Sequence, residues 1–291
     1  MTTPTFSLGT PDETWSKYDL HEHPIQFNGK PTTVKAILRG EDQLVSIAGK
    51  GYQLLPNEEA LKIANQAAEL TGFVPFFEKM KDSAWTLGKP SGNILCNGKN
   101  TQMHAFYVPK EIEVELDHRS RAGHQIYTLR GEQVHVGVDV VNSIDGKKSF
   151  GVGTFSFRSI CKNGVLFNSQ NLGGVKHAHT ISLKPVIEQL KTLFVQQMDH
   201  AREIFEGYQR LASEKVTTEL IERLKKARLP SKVFPDYIQN DQPAPADTSK
   251  WDLYNDLTAG IWHNNENDVT GKEFQFNQLH RALPVIEVRS R

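Results

Sequence analysis

Cysteine is nearly absent: Cys96 and Cys161 are the two in a chain of 291 residues. They lack the spacing of a zinc knuckle or a redox pair, so both are expected as reduced thiols in a fold built without disulfides. Nor is there an excess of charge, because 34 basic side chains balance 34 acidic ones. That excludes a protein basic over its whole surface, but not one with a local basic face. No apolar run reaches the roughly 20 residues needed to span a bilayer. Asp12, Glu13, Asp19 and Glu22 stand where a secretory leader would be apolar. A soluble cytoplasmic protein, without membrane contact, is the expectation.

The sequence also lacks Gly-x-Ser-x-Gly, His-Glu-x-x-His and the Rossmann fingerprint. Gly49-Lys50-Gly51 and Asn171-Leu172-Gly173-Gly174 are glycine-rich, but neither has the spacing of a phosphate-binding Walker loop. His21-Glu22-His23 and His177-Ala178-His179 pair histidines two apart, with no further ligand at useful spacing. No metal, cofactor or catalytic residue is therefore assigned.

Patterning defines an α+β protein: a central, mainly antiparallel sheet with a basic hairpin, backed by a short and a long helix, with further helices at the C-terminus. Thr33 to Leu38 and Leu44 to Ile47 predict two strands around a turn at Gly40. Asn57 is the expected cap of a helix whose buried stripe is Leu61, Ile63, Ala64 and Ala68, closed by Gly72. Ile112, Val114 and Leu116 alternate with Glu111, Glu113 and Glu115, and Val134, Val136, Val138 and Val140 also recur at period two. Asp145-Gly146 turns that second strand back along Phe150 to Ile160. From Val186 to Leu211 the period becomes helical, predicting a helix of about thirty residues. A helix is expected over Thr217 to Ala227, another from Lys250 to His263, and a last one from Phe274 to Leu283. Pro230, Pro235, Pro243 and Pro245, set among polar residues, predict a flexible linker. The expected division is an arm over 1–30, a core domain over 31–229, a linker over 230–249 and a helical segment over 250–291.

Four stretches carry a family resemblance: Gly49-Lys50-Gly51-Tyr52-Gln53-Leu54-Leu55-Pro56-Asn57-Glu58-Glu59-Ala60; Asn142 to Phe150, running into Arg158-Ser159-Ile160-Cys161-Lys162-Asn163-Gly164; Lys176-His177; and Trp251-Asp252-Leu253-Tyr254-Asn255-Asp256-Leu257-Thr258. As a set they resemble the phage- and plasmid-like family called domain of unknown function 932. That resemblance implies a mobile-element origin and hands over no activity. The order of a short helix, a sheet with a basic hairpin and a long helix is also similar to the core of single-strand annealing recombination proteins. Such likeness in fold alone does not fix function.

Local charge carries the functional expectation. Between Asp117 and Pro185 the bases are Arg119, Arg121, Arg130, Lys147, Lys148, Arg158, Lys162, Lys176 and Lys184, against Asp117, Glu132, Asp139 and Asp145. Each cation that neutralises a phosphate releases counterions, so such clustering suits a nucleic-acid backbone. The expected site is Arg119, Arg121, Arg130, Lys147, Lys148, Arg158, Lys162, Lys176 and His177, holding single-stranded DNA in an oligomer that assists annealing, recombination or replication. Tyr127, Phe150, Phe155, Phe157 and Phe167 are interleaved and would stack on bases if exposed. Phe155 and Phe157 share one strand face and read more simply as core. Two rivals stand beside this. An interaction protein acting on a host defence or replication factor would expose an apolar patch. An enzyme would bring a carboxylate, a histidine and Cys161 together in a closed pocket.

Overall fold

The computed structural model describes residues 20–40, 43–49, 52, 54–76, 94–96, 101–109, 126–129, 132–146, 148, 150–158, 163–167, 183–263 and 269–286. Leu20–Phe27 (β1), Lys30–Arg39 (β2) and Gln43–Gly49 (β3) form an antiparallel sheet in that order. β1 falls in the last third of the expected N-terminal arm. Its hairpin turns at Asn28 and Gly29, with φ of 50° and 75°, the left-handed pair that a two-residue hairpin demands.

The helix Asn57–Thr71 (α1) follows, closed by Gly72 at φ 75°. Leu61, Ile63, Ala64 and Ala68 are buried as the pattern predicts. Asn57 does not cap the helix: Pro56 holds that position, with no side-chain hydrogen bond. The Asn57 amide is instead drawn into a long-range bond with Asn142.

The second sheet comprises Phe73–Pro75 (β4), Ile94–Cys96 (β5), Gln102–Pro109 (β6), Ile126–Leu129 (β7), Glu132–Ser143 (β8), Gly151–Arg158 (β9) and Asn163–Phe167 (β10). The order is β10-β9-β8-β6-β4, with β5 beside β6 and β7 beside β8. Among the described residues every pairing is antiparallel. The acidic strand expected at 111–116 lies outside the described residues.

Both faces of β8 are covered. Register sets Ala105 opposite Val140 and Val140 opposite Val152. These residues, with Met103, Tyr107 and Val138, pack against α1 and against Leu190, Leu193 and Phe194 of the long helix Leu183–Ser213 (α2). Farther along α2, the Tyr208 hydroxyl meets Ser156 Oγ at 2.6 Å. The opposite face closes on Phe76, Phe106, Phe155 and Phe157, with ring centroids 4.8–5.4 Å apart.

The C-terminal part belongs to the same core. Thr218–Lys226 (α3) is capped by Thr217, whose side chain accepts from Leu220 N. The expected linker is packed in its first half, where Pro230 and Pro235 precede a 3-10 turn, Ser231–Val233, and a short helix, Asp236–Gln239 (α4), while residues 240–247 are largely exposed. Proline's fixed φ suits a helix start, and Val233, Phe234 and Ile238 between them are buried. Lys250–Trp262 (α5) opens with a reciprocal Ser249–Asp252 capping box. Its Trp251 and Tyr254 rings lie 4.7 and 5.6 Å from that of Tyr208. From Val269–Ala282 (α6), His280 stacks on Phe167 of β10 at 4.7 Å. No helix of the described residues is long and apolar enough to cross a membrane.

Candidate functional site

Polar side chains converge where β6 begins and β8 ends. His104 sits opposite Val141, which places Asp139 diagonally across on the same sheet face. His104 Nδ1 lies 2.7 Å from Asp139 Oδ2, and both residues are buried. Gln102, two residues before His104, accepts from Thr270 Oγ1 on α6 at 2.7 Å. Its amide nitrogen is thus the donor toward His104 Nε2 at 3.0 Å and Glu273 Oε2 at 3.4 Å. These bonds place the imidazole proton on Nδ1, where it is given to Asp139. Asp139 Oδ1 is buried with no donor among the described residues.

Lys148, just past the β8–β9 turn, pairs with Glu273 of α6. Burial pushes its ammonium down to about 8, against the opposing pull of Asp139 and Asp145. Asp145 accepts from Ser143 Oγ at 2.6 Å and Thr101 Oγ1 at 3.0 Å. Tyr52 approaches the Ser143 and Ile144 carbonyls at 3.5 Å. Its phenol is pushed up to about 12, first by burial and then by Asp145 and Glu22. Asn142 Nδ2 donates to Asn57 Oδ1 at 2.8 Å and to Leu55 O at 3.0 Å.

Chemically, this junction is closed. Both ring nitrogens of His104 are engaged, so in this arrangement neither offers a lone pair or a proton to a substrate. What the network does is tie the sheet to α6. A carboxylate and a histidine do converge; Cys161 lies outside the described residues. Among the described residues no three His, Cys, Asp or Glu side chains form a group able to hold a metal ion.

The basic residues divide between the two ends of the sheet. Leu129 pairs with Glu132, Val134 with Arg158, and Arg158 with Asn163. Four adjacent strands, β7, β8, β9 and β10, thus bring Leu129, Glu132, Arg158 and Asn163 to one end. Arg130 and Lys162 belong to the short connections there and lie outside the described residues, as do Arg119 and Arg121 in the connection from Pro109 to Ile126. Lys148 is at the other end, about 25 Å away along β9 at roughly 3.3 Å per residue. Lys147, Lys176 and His177 are also outside the described residues. Phe150, Phe155, Phe157 and Phe167 are buried, so these four rings pack the core rather than offer platforms for bases.

Sequence reasoning missed Gln102, His104, Thr270 and Glu273. The available signal was polar residues inside apolar strands, since a buried His or Asp needs a partner. The first two resembling stretches do meet here, through Tyr52, Leu55 and Asn57 on one side and Asn142, Ser143 and Ile144 on the other.

A family model described as Domain of unknown function (DUF932) matches residues 45–274. No curated protein and no solved structure matches. The matched span takes in the whole polar junction and both ends of the β8–β9 pair.

Proposed function

The chain belongs to that family of unknown function, and from this premise we propose that it binds nucleic acid, single-stranded DNA in particular, at the sheet end formed by Leu129, Glu132, Arg158 and Asn163. The observation that carries the reading is the strand register, which gathers Arg158 and the connections holding Arg130 and Lys162 at one end of four adjacent strands. Strand register also sorts the local charge. Asp139 is buried against His104, and Asp145 is taken up by Ser143 and Thr101. Lys148 is likewise spent on Glu273. Asp139, Asp145 and Lys148 thus belong to the junction toward the other end of the sheet, away from Arg158. Arg130, Arg158 and Lys162 contact phosphate, and Arg119 and Arg121 close over the strand. Lys176 and His177, which follow β10 in the chain, extend the track, whereas Lys147 adjoins Lys148 at the other end of the sheet. The role that fits is an oligomer of a phage or plasmid, acting in the bacterial cytoplasm in annealing, recombination or replication.

The test is a titration against labelled single- and double-stranded DNA at several salt concentrations. Affinity falls steeply with salt, and Arg130→Ala with Arg158→Ala and Lys162→Ala lowers the slope by about one for each phosphate no longer neutralised. Lys148→Ala leaves the slope unchanged, because that ammonium faces Glu273. Absence of binding at low salt, or indifference to the triple change, overturns the reading.

A further inference from the structure

We propose that the outer face of the β1–β3 sheet is the seat of this chain's own first nineteen residues. Strand register puts Phe27, Val34, Leu44 and Ile47 on one face. Phe27 is opposite Lys30 and Ala36 opposite Ile47, while Leu38 is opposite Leu44 across a bulge. Lys30, Val34, Ala36 and Leu38 share the parity that keeps them together.

The other face is the one turned to the body. It carries Ile37, fully buried, and the Lys35–Glu22 pair. Glu22 accepts from Leu54 N, and Ser46 Oγ donates to the Ile144 carbonyl. The outer face is left with Phe27 at 72% exposure, Ile47 at 61%, Leu44 at 56% and Val34 at 37%. Only Leu70, Val195 and Phe274 are comparably exposed elsewhere among the described residues, and they stand apart from this sheet. Four apolar side chains on one small sheet form a patch, whereas single exposed ones need no explanation.

Three observations select the occupant. Residues 1–19, outside the described residues, run directly into Leu20, the first residue of edge strand β1, so they are tethered beside the patch. A short tether gives an effective concentration on the order of millimolar. The segment carries Phe6, Leu8, Trp15 and Tyr18, apolar groups to match the four exposed ones. At roughly 3.3 Å per residue it reaches about 60 Å, more than twice the length of β1. Its charge is complementary as well: Asp12, Glu13 and Asp19 outweigh Lys17. The outer face presents His21, His23 and Lys30, and the register puts no acid on it. The patch also lies mostly ahead of the family match, which begins at residue 45.

Hydrogen exchange on the full chain tests this. Amides of residues 1–19 exchange at least tenfold more slowly than in a peptide of the same sequence. Ile47→Lys, a change at an exposed position, brings them to the peptide rate while leaving α1 as protected as before. Trp15→Ala does the same from the other side. Free exchange of 1–19 in the unaltered chain overturns the proposal, as does protection that survives Ile47→Lys. A dimer by light scattering that dissociates on Ile47→Lys assigns the face to a second copy instead, and equally overturns it.

Discussion

Asn142 reaches from the end of β8 to bond both the Leu55 carbonyl and the side chain of Asn57. One buried amide thereby fixes the start of α1 to the central sheet. Both asparagines are almost inaccessible, so no water stands ready to replace a broken bond.

Asn142→Ala therefore removes two buried hydrogen bonds and leaves a void. The expected cost is about 2–4 kcal/mol, read as a lower urea midpoint.

Gly137 and Gly72 separate two roles of glycine. A Cβ on Gly137 falls inside contact distance of the Tyr107 carbonyl and the Phe155 ring. Gly137→Ala is expected to cost about 3 kcal/mol or more through overpacking. Gly72 is at φ 75° with nothing near its Cβ, so Gly72→Ala costs backbone conformation alone, about 1 kcal/mol. Thermal unfolding of the two variants checks the order.

His280 makes the fold acid-sensitive. Burial pushes its imidazole down to about 3, while in the unfolded chain it titrates near 6.5. The unfolded state binds the extra proton between these values, so stability falls as pH drops from 6.5 toward 3. The loss has an upper bound of about 5 kcal/mol. In His280→Phe, which keeps a ring against Phe167, this part of the pH dependence disappears from urea titrations.

Lys148 acts at the alkaline end. Its folded value of about 8 lies below the ordinary 10.5 of a lysine. Stability therefore rises as pH climbs through that interval, by at most about 3 kcal/mol. Lys272, also pushed down to about 8 by burial, contributes a second increment. Lys148→Met abolishes one increment and keeps the other. Identical pH profiles for parent and variant would contradict the placement of Lys148.

Elements with a strong period are legible in the sequence. The stripe of α2, the alternating valines of β8 and the Asp145-Gly146 return each carry their own local signal. β1 is not, because Pro24 and weak alternation obscure it, although Asn28-Gly29 is a strong two-residue hairpin signal. Pro230 and Pro235 mislead, because they start helical turns around apolar anchors instead of loosening the chain. Local reading also makes Asn57 a cap, when its partner lies 85 residues away. The polar junction is the least visible, since Gln102, His104 and Asp139 on the sheet find Thr270 and Glu273 only after the chain has closed. Of the basic residues, sequence supplies the clustering but not its division between two sheet ends, which depends on strand register.

The docking of α5 and α6 onto α2 and β10 has a consequence for biosynthesis. A nascent chain leaving the ribosome has Tyr208, Phe167 and the flank of α2 bare until its final helix clears the exit tunnel. This core therefore cannot close until about residue 280 has emerged, and stalling before that point would present the cell with a sticky, unfinished intermediate.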